Sequence, residues 1–441
     1  MSSFLDGTLA AKIHLKRGNT IEPHANSPHN EPQTIKYDAL ILDARLRQSL
    51  VTVRSLGQRG KHVAALEVEN LLERSKHVPT FTSRWCQQSY IAPSYEQGTE
   101  DYLLYLKQWL TNTGAHVLIP SSDGTLELLR KHRAEVEQLG TRVALAKEPG
   151  LAAATNKETT LEAAERLGLN IPRGVLVNSV SELAEAVREI GLPAVVKPTI
   201  SWLWGGQQGA RLVSKLVTTP DEARQVVETV SSFGGSTLLQ QFLPGRREAM
   251  SFLYANGEIY ARFAQWAKRT QPQLGGTSVY RQSIAIPYDI GEPAERLIHE
   301  LDLEGYSEVE FRRDSAGKAY LMEINPRLSA SVEIAVRAGV DFPYLLYQWA
   351  NGECIDRIKD YQTGKWMRYL EGDLLTTIEA ILQHGRPGIT PPMQAIFEFL
   401  TTFFLPTGYD YLDSHDLRPA WTALEDFADR VWYRLRHNPH N

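Results

Sequence analysis

The sequence SEVEFRRDSAGKAYLMEINPR, from Ser307 to Arg327, decides the fold because it predicts a β-hairpin with one polar and one apolar face. Its four-residue loop, Ser315 to Lys318, would join two antiparallel strands. In that register Asp314 lies opposite Ala319. The positions of all other residue pairs along the two strands follow from this pairing.

Two glutamates face each other in the predicted register. Glu310 lies directly opposite Glu323, with Cβ atoms roughly 4.5 to 5.5 Å apart, a distance at which like charges repel. Strand alternation adds Asn325 and Arg327 to the same face. These oxygen ligands suit magnesium, which keeps positions for water or substrate phosphates and would relieve the repulsion. The opposite face is apolar and is expected to pack on a core: Val309, Phe311, Met322 and Ile324. A surface hairpin with exposed glutamates is the alternative.

The composition excludes several classes of protein. The 441 residues carry 47 basic and 52 acidic side chains, a net charge of −5, which is not the basic surface of a nucleic-acid-binding protein. Cys86 and Cys354 lack the spacing of a zinc site or a disulfide framework and fit a reducing cytoplasm. Residues 1–34 are expected to form a flexible lead-in without a signal peptide. The most apolar window, 395–406, is too short to span a bilayer, so a packed helix is expected there and no membrane contact.

The order of apolar runs predicts at least two units. Residues 38–140 alternate short apolar strands with helical patterns, which is typical of a parallel, Rossmann-like α/β sheet. No GxGxxG follows the first strand, so dinucleotide binding is disfavoured. A second unit opens near Thr155, which with Glu158 has capping-box spacing. The part after Gly364 mixes helical segments with proline-rich turns.

Two lysines and a glycine-rich loop suggest a phosphate site. Lys157 lies in the first turn of a helix, where the macrodipole disfavours a cation unless an anion is bound. Lys197 ends an apolar strand that Pro198 keeps extended, and its side chain is expected to enter a cleft. The loop 204–209 carries glycines whose backbone N–H groups can surround phosphate oxygens. Taken singly, each feature also fits a solvated lysine or an ordinary turn.

The segment that follows could receive the rest of a nucleotide. Gln240, Gln241 and Leu243 leave a strand and turn, exposing backbone groups beside an apolar side chain, which can accept a purine edge. Glu248 could accept hydrogen bonds from ribose hydroxyls. A structural role is the alternative for each of these residues.

In this order the motifs resemble the ATP-grasp superfamily, whose members activate a carboxylate as an acyl phosphate and pass it to a nucleophile. The resemblance covers roughly residues 38–375 and is strongest at VEF and MEINPR, which look like the metal-binding segment of carbamoyl phosphate synthetase and biotin carboxylase. It also includes VLIPSSDGTLELL, typical of the carboxylate–amine ligase-like branch. It implies a mixed α/β and α+β chain, in which a Rossmann-like pre-ATP-grasp domain precedes a two-lobed ATP-grasp fold. The implied boundaries are 35–150 for the first domain, 151–365 for the ATP-grasp domain with an ATP-covering lobe at about 170–245, and 366–441 for a C-terminal helical segment.

The resemblance also implies roles for individual residues. ATP phosphates and adenine would contact Lys157 and Lys197, with Gly205, Gly206, Gln207 and Gly209 as a phosphate lid. Adenine would lie against Gln240, Gln241 and Leu243, and ribose against Glu248. Magnesium, or alternatively manganese, would be held by Glu310, Glu323 and Asn325. Arg327 would stabilise charge on the acyl phosphate.

The implied reaction joins a small-molecule carboxylate to an amine, releases ADP and phosphate, and needs no protein nucleophile. Arg281 is the candidate for gripping the substrate carboxylate, since a guanidinium binds carboxylates bidentately, although an exposed strand arginine is an equal alternative. A homodimer is compatible with the resemblance. Two other functions stay open: a bicarbonate-activating enzyme of the carboxylase or carbamoyl-phosphate type, and a non-catalytic ATP-binding protein.

Overall fold

The computed structural model describes residues 36–73, 75–96, 98–205, 208–273, 275–386 and 388–437. The predicted flexible lead-in, 1–34, lies outside these residues. No helix in the described ranges is both long and apolar enough to cross a membrane. Cys86 and Cys354 are free thiols.

The first domain is a five-stranded parallel sheet covered by helices. Its strand order is β3-β2-β1-β4-β5. Strands β2 and β3 therefore lie on one side of β1, and β4 and β5 lie on its other side. Leu40, Val63 and Leu118 are fully buried, as expected for a sheet covered on both faces. The strands are β1 Ala39–Ile41, β2 Val63–Val68, β3 Gln88–Ala92, β4 Val117–Ile119 and β5 Arg142–Val143. The helices are α1 Arg47–Gln58, α2 Glu69–Leu72, α3 Thr99–Thr113, α4 Asp123–Glu137 and α5 Gly150–Thr155, with a 3₁₀ turn at Pro79–Thr82.

A small lobe follows helix α6, Lys157–Arg166. Four strands form a sheet of order β10-β7-β11-β6, and α7 and α8 cover one face of it. A separate two-stranded hairpin, β8–β9, projects from the lobe. The strands are β6 Gly174–Val177, β7 Ala194–Pro198, β8 Trp202–Gly205, β9 Gln208–Arg211, β10 Lys215–Val217 and β11 Thr237–Gln241. The helices are α7 Leu183–Ile190 and α8 Pro220–Ser232, with a 3₁₀ turn at Val180–Glu182.

The start of α6 corrects one local prediction. Asn156, not Thr155, caps this helix, and its side-chain oxygen accepts a hydrogen bond from the Glu158 backbone N–H at 2.9 Å. Thr155 is instead the last residue of α5. The chain breaks between two helices here because the Asn156 backbone pairs with Ile200 of the small lobe. Lys157 is therefore the first residue of its helix, directly beside that lobe.

The large lobe is built on a seven-stranded sheet of order β16-β15-β12-β13-β14-β17-β18. Helix α9 packs on one face through apolar residues that include Ile290 and Leu297. The strands are β12 Arg247–Ala255, β13 Glu258–Gln271, β14 Thr277–Ile284, β15 Gly305–Arg313, β16 Ala319–Asn325, β17 Trp366–Arg368 and β18 Thr407–Tyr409. The helices are α9 Tyr288–Glu300, α10 Glu333–Ala338, α11 Phe342–Asn351, α12 Leu370–Leu382, α13 Pro392–Thr401 and α14 Arg418–His437, with a 3₁₀ turn at Thr402–Phe404.

The C-terminal boundary predicted at residue 366 divides this sheet. Strand β17 pairs with β14 and with β18, so residues 366–437 extend the large lobe rather than forming a helical segment of their own. Buried ion pairs fix the segment to the first domain as well. Asp416 binds the Nε atom of Arg54 at 3.0 Å, and Asp410 pairs with Arg47. The prediction of a separate segment failed because the two strands are only three residues long and carry no strong pattern.

Candidate active site

The β15–β16 hairpin brings together the two glutamates that the sequence singled out. Glu310 pairs directly with Glu323, as predicted, but the loop does not have the predicted register, because Arg313 rather than Asp314 lies opposite Ala319. A bulge at Met322 compensates for this one-residue shift between the loop and the glutamates. Because of the bulge, the predicted apolar face is wrong at one position: Leu321, and not Met322, packs in the core.

Glu310 is held by neighbours on the polar face of the sheet. The Nε atom of Arg247 donates to Glu310 Oε2 at 2.7 Å, and the same guanidinium forms a second bond to Glu310 Oε1. The amide nitrogen of Asn325 donates to Glu310 Oε1 at 3.0 Å, so its amide oxygen is left available as a ligand. Glu308, opposite Asn325, is also on this face and is 1% exposed. Burial and then the charge of Glu310 raise the pKa of Glu308.

Glu323 lies between two lysines. The Nζ atom of Lys157 is 3.5 Å from Glu323 Oε2 and 3.0 Å from the hydroxyl of Ser201. Burial acts to raise the pKa of Glu323, but Lys157, Lys197 and Arg247 together lower it, so this carboxylate is ionised.

Lys197 reaches the same cluster from the facing lobe. It is 6% exposed, and its ammonium group forms no hydrogen bond or ion pair within the described residues. Burial lowers the pKa of Lys197 to about 8, with Glu323 opposing the shift. Arg312, two residues from Glu310 on the same face, has a buried Nε atom without a hydrogen-bond partner in the described structure. Burial and then Arg247 lower the pKa of Arg312 to about 10. Two largely desolvated cations that form no direct ion pair within the described residues favour an anionic ligand.

Gln240 adds an unsatisfied amide to the inner face of the small lobe. Cross-strand pairing of Leu238 with Lys197 places Gln240 on the face that carries Lys197. Gln240 is 1% exposed, and neither its amide nitrogen nor its amide oxygen has a partner among the described residues. Since an unpaired buried amide is costly, this face is suited to a polar ligand.

Arg327 is oriented by the first domain. Its Nε atom donates to Asp123 Oδ1 at 2.5 Å, and Arg211 of the β8–β9 hairpin lies 3.3 Å from Asp123 Oδ2. Burial acts to raise the pKa of Asp123, but Arg327 and then Arg211 and Lys157 lower it to about 2. Asp123 begins α4 after the Ser122 cap, so the helix dipole stabilises the same charge.

The β8–β9 hairpin is docked on the first domain. The Gly209 N–H donates to the Glu96 carbonyl at 2.9 Å, and the ring of Trp202 lies 5.6 Å from that of Tyr95. A Cβ atom at Gly124 would lie 2.8 Å from Tyr95 and 3.0 Å from Trp202, so only glycine permits this approach. A pocket beside the hairpin is lined by residues of all three parts, among them Asp123, Lys157, Trp202, Glu323 and Asn325.

The structure assembles most of the candidate residues but not all. Gly205 and Gly209 lie in the docked hairpin, while Gly206 and Gln207 are outside the described residues. Leu243 is buried just after β11. The Gln241 side chain faces away from Gln240 and binds the Nε atom of Arg173 at 2.9 Å, which leaves only its backbone for a ligand.

Two assignments are corrected. Glu248 lies on the apolar face of β12, opposite Phe311, and pairs with Arg313 at 2.7 Å, so it does not face the cluster and cannot take the ribose role. Arg281 is fully buried, and its guanidinium is 2.6 Å from Asp410. Its ion pair belongs to the junction with the C-terminal segment, where no substrate carboxylate can reach it.

Several site residues were missed in the sequence. Arg247 and Arg312 could have been found by extending the strand alternation from Glu310, since both lie on its face. Asp123 lies within the motif VLIPSSDGTLELL, but its role depends on contact with Arg327, 204 residues further along the chain. Ser201 and Glu308 gave no distinct signal.

Comparison with known proteins identifies this architecture. Residues 236–372 match the family model described as ATP-grasp in the biosynthetic pathway with Ter operon. The large chain of carbamoyl phosphate synthase from Deinococcus radiodurans is 30% identical over 182 residues, which are 40% of this chain and 17% of that protein. The chain thus spans less than a fifth of that relative.

Solved structures agree on the fold. A biotin carboxylase from Campylobacter jejuni, in complex with β,γ-ATP, superposes with a TM-score of 0.58 at 12% identity, covering 75% of this chain and 74% of the enzyme. An L-amino acid ligase from Bacillus licheniformis gives 0.54 at 16% identity, covering 73% and 76%. The matched segment and the solved structures together show the ATP-grasp fold that the motifs predicted.

Proposed function

We propose that the protein is an ATP-dependent ligase that activates a substrate carboxylate as an acyl phosphate and couples it to an amine. ADP and phosphate are released, and an amide or peptide-like bond forms. The observation that carries the proposal is that Lys197 and Arg312, which form no direct ion pair within the described residues, lie close to the opposed pair Glu310 and Glu323. Phosphates and a divalent cation together would neutralise both sets of charges.

The small lobe supplies the nucleotide side of the proposed site. Lys197 and Lys157 are placed to bind phosphate oxygens, because both reach the cluster and Lys197 forms no direct ion pair within the described residues. Gln240 can donate to and accept from a base edge, which would satisfy its unpaired amide. The docked hairpin would exclude water from the phosphates, which strengthens every ionic contact beneath it.

The large lobe supplies the metal side. Glu310, Glu323 and Asn325 fit magnesium because each can offer it an oxygen. Glu310 Oε2 accepts one hydrogen bond from Arg247 and keeps a second lone pair, and Asn325 turns its nitrogen toward Glu310. Manganese takes the same ligands. Bound magnesium supplies charge neutralisation and alignment of the phosphates. In the described residues no three His, Cys, Asp or Glu side chains group as a metal cage, so water and phosphates would complete the coordination.

Arg327 is assigned to the acyl phosphate. Asp123 accepts a hydrogen bond from the Nε atom of Arg327. The direction of the two terminal nitrogens is therefore set by this ion pair and not by solvent. A guanidinium held in this way can stabilise charge that develops on the transferred phosphoryl group without reorganising. No protein nucleophile is needed.

The relatives support this assignment in kind. One similar protein is named as an L-amino acid ligase and another as a carbamoyl phosphate synthase. C–N bond formation is therefore the type of reaction that we propose for this chain. The amine and the carboxylate of this chain are expected to be small molecules. The free thiols Cys86 and Cys354 fit a cytoplasmic location.

A coupled ADP-release assay against a matrix of amino acids, dipeptides and small carboxylic acids tests the proposal. Release should require magnesium, a carboxylate and an amine together, and Glu323→Gln should abolish it, whereas the exposed control Glu228→Gln should not. ADP release with bicarbonate alone would favour the bicarbonate-activating alternative. Nucleotide binding without turnover for any pair would leave an ATP-binding protein without ligase activity.

A further inference from the structure

Helix α14 exposes an apolar stripe with a regular spacing. Its members follow one another at alternating intervals of four and three residues, which is the spacing of a coiled-coil seam. All are exposed, and the large ones are between 37% and 69% accessible. The stripe consists of Leu417, which directly precedes α14, and of five residues within the helix: Trp421, Leu424, Ala428, Val431 and Leu435.

The opposite face of α14 already holds the helix to the rest of the chain. Asp426 forms a buried ion pair with Arg45 of the first domain, and the hydroxyls of Thr422 and Thr82 are 3.0 Å apart. Arg430 binds Glu371 of α12 at 2.9 Å. Because these contacts fix the rotation of α14, the stripe points outward and is not covered by the part of the chain that the structure describes.

We propose that a second copy of the chain covers the stripe, with the two α14 helices packed antiparallel about a two-fold axis. The stripe is symmetric about Asp426, so such pairing places Leu417 against Leu435, Trp421 against Val431, and Leu424 against Ala428. Each central layer then joins a large side chain to a small one, which is how dense cores are filled. Parallel pairing would instead stack Trp421 on its own copy and leave a gap between two alanines.

The available area is of the right order for a dimer. Burying a tryptophan removes roughly 150–250 Å² from solvent. Trp421 is 69% exposed and Trp432, beside the stripe, is 57% exposed. The two rings therefore supply about a third of the roughly 800 Å² per partner that stable interfaces bury. The aliphatic members of the stripe and the flanking surface supply the rest.

An anionic membrane is the competing partner, because the last turn of α14 carries Arg434, Arg436 and His437. A second copy is favoured for two reasons. Glu425, 58% exposed beside the stripe, would be repelled by such a surface. Membrane-surface helices share the four-three spacing, but the symmetry of the stripe about Asp426, which matches large side chains with small ones, suits a second helix and serves no purpose against lipid.

Light scattering coupled to size-exclusion chromatography of the full chain, over a concentration series, tests the surface. The wild type should be a dimer, and Leu424→Glu should be a monomer with an unchanged far-UV circular dichroism spectrum. Phe404→Glu, at an 89% exposed position outside α14, is the matched control and should stay dimeric. A monomeric wild type, or a dimer broken only by Phe404→Glu, would overturn the proposal.

Disulfide trapping tests the direction of pairing in a Cys86→Ser, Cys354→Ser background. Leu424→Cys combined with Ala428→Cys should give a covalent dimer under mild oxidation, and Ala428→Cys alone should not. Covalent dimers from Ala428→Cys alone would show parallel pairing and refute the two-fold arrangement. Co-sedimentation with phosphatidylcholine–phosphatidylglycerol vesicles completes the test. Binding by wild-type monomers that Leu424→Glu abolishes would replace the dimer with a membrane surface.

Discussion

Replacing Lys197 by methionine is expected to stabilise the ligand-free protein and at the same time to abolish its stabilisation by magnesium-ATP. Lys197 is buried without a direct ion-pair partner among the described residues, and burial, only partly opposed by Glu323, lowers its pKa from 10.5 to about 8. That change corresponds to roughly 3 kcal/mol of unfavourable free energy for keeping the ammonium charged in the fold. Methionine has a similar length and no charge, so most of this cost should disappear.

The pH dependence of this gain has a defined sign. Below pH 8 the lysine is charged in both the folded and unfolded states, and the full cost is present. Between pH 8 and 10.5 the folded state loses its proton while the unfolded state keeps it, so the stability of the wild type rises with pH. The advantage of Lys197→Met should therefore be largest near pH 7 and vanish toward pH 10.5.

Thermal unfolding with and without magnesium-ATP measures both effects. At pH 7 the ligand-free variant should unfold a few degrees above the wild type. Ligand at about one hundred times Kd adds about 2.7 kcal/mol to the wild type, and most of this should be lost in the variant. Lys215→Met, on the neighbouring strand and exposed, is the control and should change neither quantity. Equal stability of Lys197→Met and wild type at pH 7, or equal shifts with nucleotide, would refute the reasoning.

Three further outcomes are expected. Asp123→Asn keeps an acceptor for Arg327 but removes its charge, so kcat in the ADP-release assay should fall by roughly 10- to 100-fold with little change in KM for ATP; an unchanged kcat would exclude the positioning role. Arg281→Met leaves Asp410 with one cationic partner fewer in a buried site and should lower the free energy of unfolding by roughly 3–5 kcal/mol. An altered KM for the carboxylate at unchanged stability in denaturant titrations would restore Arg281 to the substrate site. Gly209→Ala introduces a Cβ atom 2.5 Å from Trp202, so the hairpin should undock from the first domain. Undocking should increase the quenching of tryptophan fluorescence by acrylamide, and an unchanged quenching constant would contradict it.

The alternation of side chains along two neighbouring strands was sufficient to predict the centre of the site. Strand alternation predicted the opposition of Glu310 and Glu323, and the pairing is confirmed. It succeeded although the loop register was off by one residue, because the bulge at Met322 restores the alignment. A bulge has no fixed sequence signature, so its position could not be predicted from alternation alone.

The remaining errors concern contacts between distant segments. Glu248 and Gln241 each lie on strands that were correctly expected, but their faces depend on registers set by neighbouring strands. Arg281 looked free because its partner Asp410 lies 129 residues away. The contribution of Asp123 was likewise hidden, since nothing near it in sequence indicates that its helix begins beside Arg327.

The seating of the β8–β9 hairpin on the first domain limits how such proteins can be recombined. Tyr95, Asp123 and Gly124 are contributed by the first domain, yet they shape the position of the hairpin and of Arg327. A chimera that joins the ATP-grasp lobes of this chain to the first domain of a relative would therefore need the same aspartate–glycine pair at the same helix start. In this chain the exchangeable module is therefore the first domain together with the lobes that it helps to position.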